Sequence, residues 1–334
     1  MIPLKKLLDG NSLTQTESVQ LFEHLVKGEL NEIQITAALV AMKLRNETPA
    51  EMAGAAQALR AAAKPFIRPD RFVVDSCGTG GDGSNTLNIS TTAALIAASM
   101  GLTVAKHGNR SVSSRSGSAD VLEALDLNVT QDPDVAAAQL DRFNFCFLFA
   151  PHYHPGIRYA MPVRQTLKTR TLFNLLGPLL NPARPDAQLL GVYDPAWCRP
   201  LAETLQLLGC RRALVVHGAG LDELALHGES LVLELRDNEI REYTVTPADF
   251  GLTEAPVSEL VGGDADRNAD LLKQVLSGKG SQAQHHAVAM NVAALLYLSN
   301  DYDNFKDAAQ AALSHIESGA AMRHLQQLQE AQND

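Results

Sequence analysis

Gly78, Gly80, Gly81 and Gly83 place four glycines in six positions, directly after a short apolar run, Phe72-Val73-Val74. Glycine lets a backbone turn sharply and approach a ligand closely. A row of hydroxyls and amides follows (Ser84, Asn85, Thr86, Asn88, Ser90, Thr91), then a helix-forming run from Thr92 to Met100. Strand, glycine loop and polar helix start together suit a phosphate, with N–H groups and a helix N-terminus aimed at the anion. The Walker pattern is excluded because no lysine follows Gly83. Gly78, Gly80 and Gly83 formally match the dinucleotide fingerprint. Its third glycine belongs inside the opening helix, however, and an acid should follow about 20 residues on. Polar residues 84–91 intervene instead, and the next strand ends in Lys106-His107.

A second loop, Lys106 to Asp120, also follows a strand and precedes a helix. It offers three cations, five serines and two glycines. The chain carries a net charge of −10, so this local positive charge is not a composition accident. Two anion loops at the carboxyl ends of neighbouring strands form one crevice, fit for a ligand with two separated phosphate groups. Lys106 supplies a point charge there, and Ser118 a hydroxyl that could otherwise cap the helix opening at Ala119. Asp222 and Glu223 follow the strand 213–217 and a Gly-Ala-Gly-Leu loop, on the same edge. Magnesium favours such a pair, completed by phosphate oxygens and waters; the alternative is a solvated acidic turn. Asp82 would repel phosphate, so its expected partners are ribose hydroxyls or loop N–H groups, or simply its own turn. His152-Tyr153-His154 resembles a metal pair without a third ligand, and His285-His286 receives no role. Cys77 reads as packing rather than as a nucleophile.

The elements that position these residues form two groups. Residues 1–66 read as helices only: Thr14 with Glu17, Asn31 with Gln34, and Thr48-Pro49 with Glu51 are three helix starts. Leu21, Leu25, Ile35 and Leu39 offer more apolar surface than these helices bury alone, which predicts a homodimer through them. Lys64-Pro65 to Arg68-Pro69 reads as a hinge. From 70 to 334 apolar runs alternate with helices. Strands are expected at 71–75, 102–106, 145–149, 188–193, 213–217 and 231–235, with an antiparallel edge at 240–245. The fold class is α/β: a small all-helical domain plus a large domain whose mostly parallel sheet is flanked by helices. No run of about 18 apolar residues spans a membrane, and the opening Met1–Lys6 is not followed by the apolar stretch of a signal peptide. The acidic balance disfavours nucleic acid, and four scattered cysteines suit a reducing cytoplasm.

The Cys77–Asp82 loop, Asn88-Ile89-Ser90-Thr91, the Lys106–Ser114 loop with Gly117-Ser118-Ala119-Asp120, and Arg170-Thr171-Leu172-Phe173-Asn174-Leu175-Leu176-Gly177-Pro178-Leu179 resemble the anthranilate phosphoribosyltransferase family over nearly the whole chain. The resemblance implies that anthranilate and phosphoribosyl pyrophosphate give N-phosphoribosylanthranilate and pyrophosphate in tryptophan biosynthesis. It implies Mg2+, two ions partly carried by the substrate pyrophosphate, on Asp222, Glu223 and the Ser90 hydroxyl. Substrate contacts follow at Gly78, Gly81, Asp82, Thr86, Asn88, Ile89, Ser90, Thr91, Lys106, His107, Gly108, Asn109, Arg110, Ser113, Ser114 and Ser118. Asn109 and Arg164 are matched to the acceptor carboxylate, although an isolated arginine on a helix reads from sequence alone as a surface salt bridge. Asn88 could instead be a helix N-cap. No acid, base or nucleophile is assigned. Helices from about 157–182 would join the helical domain. A homodimer and separate anthranilate synthase subunits are the implied protein partners. Leu87, Asp126 and Ala225 depart from the family pattern, where phenylalanine, glycine and serine are usual. The runner-up readings are a pyrimidine-nucleoside phosphorylase and a non-catalytic nucleic-acid-binding relative.

Overall fold

The computed structural model describes residues 2–111 and 115–333. Four helices open the chain: α1 (Ile2–Leu8), α2 (Gln15–Val26), α3 (Glu32–Arg45) and α4 (Pro49–Ala61). The last three begin at reciprocal capping boxes on Thr14, Asn31 and Thr48, as their sequences demand. Leu21, Leu25, Ile35 and Leu39, expected at a dimer surface, are instead buried within the chain. The exposed apolar side chains here are Ile2, Leu8, Ile33 and Leu44. Helix α3 is apolar over much of its circumference, so sequence pattern alone does not reveal which side faces inward.

Seven strands follow: β1 (Val73–Gly78), β2 (Thr103–Gly108), β3 (Phe145–Phe149), β4 (Ala187–Gly191), β5 (Arg212–Gly218), β6 (Ser230–Arg236) and β7 (Glu239–Val245). They form one sheet in the order β3-β2-β1-β4-β5-β6-β7. The first five are mutually parallel, while β6 and β7 run antiparallel at one edge. Between β1 and β4 the strand order reverses, the place where open α/β sheets leave a crevice at their carboxyl ends. Strand β1 runs four residues beyond its apolar run, because β4 pairs with it as far as Gly78 against Gly191.

The connections are α5 (Ile89–Ser99) after β1, then α6 (Ser118–Ala124) and α7 (Pro133–Phe143) after β2. Next come α8 (Ala150–Tyr153), α9 (Met161–Leu167) and α10 (Phe173–Leu176) between β3 and β4, and α11 (Cys198–Leu207) before β5. Helices α12 (Ala265–Leu276), α13 (Gln282–Ser299), α14 (Phe305–Glu317) and α15 (Ala320–Asn333) close the chain.

Alternation along the strands separates two large cores. Leu189, Leu214 and Val216 face the core built with α5 and α12–α15. Leu190, Ala213 and Val215 face the other, which continues through α11 into α2, α3 and α4 and takes in Val163, Phe173 and Leu176. The helical segments between β3 and β4 thus share a core with the opening helices. Among the described residues no helix is long and apolar enough to cross a membrane.

Candidate active site

The glycine loop leaves β1 at Gly78, at the strand-order reversal. A Cβ on Gly78 would lie 2.2 Å from Asp222 Oδ2, and one on Gly191 only 1.6 Å from Asp222 O. The absence of side chains at the ends of both central strands therefore lets the acid loop reach across them. Asp222 Oδ2 accepts the Gly80 N–H at 2.6 Å, and Glu223 Oε1 accepts the Ser90 N–H at 3.2 Å. Ser90 lies in the first turn of α5, so that carboxylate faces a helix N-terminus. Burial pushes both carboxyls up from the ordinary range; the charge of Asp82 adds to this at Asp222, and that of Asp222 adds to it at Glu223.

Lys106 is buried on β2 and passes beneath the loop. Its Nζ donates to Ser76 O at 2.6 Å and lies 3.4 Å from Ser90 Oγ. Two acids, a lysine and a serine hydroxyl therefore share one place. Two carboxylates with raised proton affinity lack sufficient counter-charge, which fits a divalent cation. Among the described residues no group of three or more His, Cys, Asp or Glu could hold a metal. Such a donor set suits Mg2+ completed by phosphate oxygens rather than a closed protein cage.

Asp82 takes up its turn role, accepting the Ser84 N–H at 3.1 Å and the Ser84 hydroxyl at 2.8 Å. The Thr86 hydroxyl lies 3.4 Å from Ser84 Oγ. Asn88 occupies the cap position of α5 without capping it. Its side chain donates to Ser116 O at 3.2 Å and accepts from Asn268 Nδ2 at 2.8 Å, tying α5 to the second loop and to α12. Ile89 is buried, and its N–H donates to Leu87 O at 2.7 Å. Thr91 Oγ1 is buried with no partner among the described residues.

The second loop is less cationic than its sequence suggests. Arg110 is held by Glu123 at 2.5 Å and by Asp120 at 3.1 Å, both on α6, so its charge is neutralised locally. Asp120 also accepts the N–H groups of Ser111 and Gly117. Ser118 opens α6 and donates to Asn109 O at 3.3 Å, while Asn109 Oδ1 accepts the Arg110 N–H. A Cβ on Gly108 would lie 2.2 Å from Ser118 Oγ. Ser113 and Ser114 lie outside the described residues.

On the other face of the sheet His107 stacks edge-on against His154, with ring centroids 5.4 Å apart. Burial and then the charge of His154 hold His107 far below the usual imidazole range. His152 points to Lys64, not to a shared metal with His154. Burial pushes the Cys77 thiol up, consistent with packing. Arg164 sits on α9 with its guanidinium 5.2 Å from the Phe173 ring and forms no ion pair among the described residues. The surface salt bridge that its sequence context suggested is absent there. Sequence reasoning gave no role to Arg170, which contacts Gly81, nor to Asn268; the first lay in a quoted motif, and the second left no signal.

Leu87 is buried, as its usual aromatic counterpart would be. The N–H of buried Ala225 finds its hydroxyl acceptor in Ser230 at 2.9 Å.

The family described as glycosyl transferase family, a/b domain, matches residues 70–322, and its helical bundle domain matches residues 4–63. A protein of Idiomarina loihiensis named anthranilate phosphoribosyltransferase is 67% identical over 332 residues, covering 99% of this chain and 98% of that protein. The enzyme of the same name from Thermus thermophilus has a crystal structure that superposes with a TM-score of 0.96 at 41% identity, over 100% of both chains. The Saccharomyces cerevisiae enzyme in complex with PRPP and Mg superposes with a TM-score of 0.89 at 29% identity, over 98% of this chain and 96% of that one.

Proposed function

This chain belongs to the glycosyl transferase family of the anthranilate phosphoribosyltransferases, and we propose that it transfers the phosphoribosyl group of phosphoribosyl pyrophosphate to the amine of anthranilate, releasing pyrophosphate, in tryptophan biosynthesis. The observation that carries the reading is the Asp222–Glu223 pair, set under a glycine loop and a helix N-terminus at the strand-order reversal. A relative at 67% identity bears that activity in its name.

In this reading the glycine loop, Thr86, Asn88 and Thr91 hold the phosphate groups, and Lys106 and Ser118 flank them. Asp222, Glu223 and Ser90 Oγ hold Mg2+, two ions shared with the substrate pyrophosphate. Bound there, Mg2+ neutralises charge on the departing pyrophosphate. Arg164 and Asn109 orient the acceptor carboxylate; a guanidinium with no carboxylate partner among the described residues is suited to that task. The arylamine is neutral near pH 7, so the protein's contribution is alignment of amine and ribose C1 rather than base catalysis. Loss of anthranilate fluorescence that requires both phosphoribosyl pyrophosphate and Mg2+ is the test; fluorescence unchanged with both present refutes the reading.

The proposal extends to organisation. Residues 1–66 with the helices of 157–182 form one unit and 70–334 the other, supported by the core shared between α2–α4 and α9–α10. The chain dimerises through α1 and α3. Leu8, Ile33, Val40 and Leu44 line an apolar groove of about 870 Å³ there, an exposed apolar face that a second copy of the chain would cover. A monomer by sedimentation at micromolar concentration would refute the dimer. Four free cysteines support a reducing, cytoplasmic setting, where separate anthranilate synthase subunits would work beside it.

A further inference from the structure

Arg170 lies in the turn between α9 and α10, and its exposed side chain reaches the glycine loop. Its Nη2 donates to Gly81 O, and its Cζ lies 3.7 Å from the centroid of the Tyr193 ring. The backbone behind it is anchored too. Lys43 Nζ, on α3, donates to Thr169 Oγ1 at 2.6 Å and to Arg170 O at 2.8 Å. Tyr193, the platform under the guanidinium, donates its N–H to Thr79 Oγ1 at 3.1 Å. The opening helices thus reach the loop through one arginine, and that arginine rests on a residue that grips the same loop two positions earlier.

The grip falls on a peptide that needs one. Gly80 and Gly81 both have positive φ, +67° and +84°, so the chain around them rotates with little steric resistance. In a planar trans peptide the C=O and N–H point in opposite directions. With Gly81 O directed to Arg170, the N–H of Asp82 is directed the opposite way. The N–H groups of Gly81, Asp82 and Gly83 have no hydrogen-bond partner among the described residues. They are donors held ready.

We propose that Arg170 is a positioning residue for the diphosphate-binding loop: by holding the Gly81 carbonyl on a tyrosine platform, it fixes the Gly81–Asp82 peptide with its N–H presented to a phosphate oxygen. The inference rests on the phosphoribosyl-transfer reading above. Arg170 acts through the peptide and not on the reacting atoms. Its effect therefore falls on phosphoribosyl pyrophosphate, and not on anthranilate.

The experiment compares wild type, Arg170→Ala, Tyr193→Ala and the double variant, with both KM values and kcat measured at saturating Mg2+. Tyr193→Ala leaves the Tyr193 N–H and the arginine charge in place and removes only the platform. Arg170→Ala is expected to raise the KM for phosphoribosyl pyrophosphate roughly tenfold, the loss of one charge-assisted hydrogen bond. Anthranilate KM and kcat stay within about twofold. Tyr193→Ala moves the same KM in the same direction, and the double variant is no worse than Arg170→Ala, because the two side chains act as one unit. Unchanged KM values, equal rises for both substrates, or additive effects in the double variant would overturn the proposal. An inactive wild type would instead overturn the reading it rests on.

Discussion

Glu51, buried in the helical core, and the half-buried Asp222–Glu223 pair are acids built in opposite ways. Glu51 is fully buried and complete. Its Oε1 accepts the Leu13 N–H at 2.9 Å and Arg45 Nη2 at 2.7 Å, and its Oε2 accepts the Thr48 N–H at 2.9 Å and the Thr48 hydroxyl at 3.0 Å. Asp222 and Glu223 each accept one N–H from another residue's backbone, and like charge crowds both, that of Asp82 at Asp222 and that of Asp222 at Glu223. Burial alone therefore does not mark a site. Burial without completed counter-charge does, because the desolvation cost is left for a ligand to offset.

The largest expected effect tests that contrast directly. Asp222→Asn with Glu223→Gln should lower Mg2+-dependent turnover by roughly a thousandfold or more. The urea midpoint should hold or rise, since crowded like charges are removed. Glu51→Ala should do the reverse: about 3 kcal/mol of stability lost, because Arg45 and two N–H groups lose their partner, with turnover per folded molecule unchanged. Activity retained by the acid-pair variant at limiting Mg2+ would break the comparison. Arg164 extends it to a cation. It is partly buried with no carboxylate partner among the described residues, and burial lowers its proton affinity. Arg164→Ala should cost about 2 kcal/mol in anthranilate binding, a KM about thirtyfold higher, with little change for phosphoribosyl pyrophosphate.

What the sequence made legible follows the same division. Six strands could be located because their apolar runs are local, as are the three capping boxes, and β7 because the turn Arg236–Glu239 precedes it. The glycine loop and the acid pair could be placed at one sheet edge because each follows a strand. What escaped depends on distant partners. Arg110 counted as a loop cation until Glu123, 13 residues away, neutralised it. Asn88 had a helix cap as the alternative to its substrate role, yet its side-chain carbonyl accepts from Asn268, 180 residues on. Ile33 and Ile35 are indistinguishable by type, and only packing decides that Ile35 is core and Ile33 surface.

His154 carries the contrast to pH. Burial holds its imidazole down at about 4, and neighbouring His107 is lowered as well. A histidine whose folded pKa is depressed binds its proton more readily in the unfolded chain. Its stabilising contribution is present above the unfolded value near 6.5 and is lost as pH falls through the folded value. The unfolding free energy from urea melts should therefore decline between about pH 6.5 and pH 4, by up to about 3 kcal/mol from His154. His154→Gln should flatten that decline; an equally steep profile in the variant would assign the acid sensitivity elsewhere.

Asp126 is a third kind of acid, exposed and belonging neither to the satisfied core nor to the site. It follows α6 at φ +56°, the left-handed conformation that ends helices and that favours glycine. Its N–H closes onto Glu123 O at 2.9 Å, so the turn forms despite the strain. Left-handed backbone costs an L-residue on the order of 1 kcal/mol, and less for aspartate, whose short polar side chain tolerates it. Asp126→Gly relieves that strain but gives the unfolded chain more freedom to lose. The net gain should be no more than about 0.5–1 kcal/mol, read as a small rise in urea midpoint with both KM values unchanged. Asp126→Asn should be nearly neutral, since asparagine accepts the same conformation. A change in either KM would place this turn within reach of the substrate loops and erase the line drawn here between acids that shape the fold and acids that await a ligand.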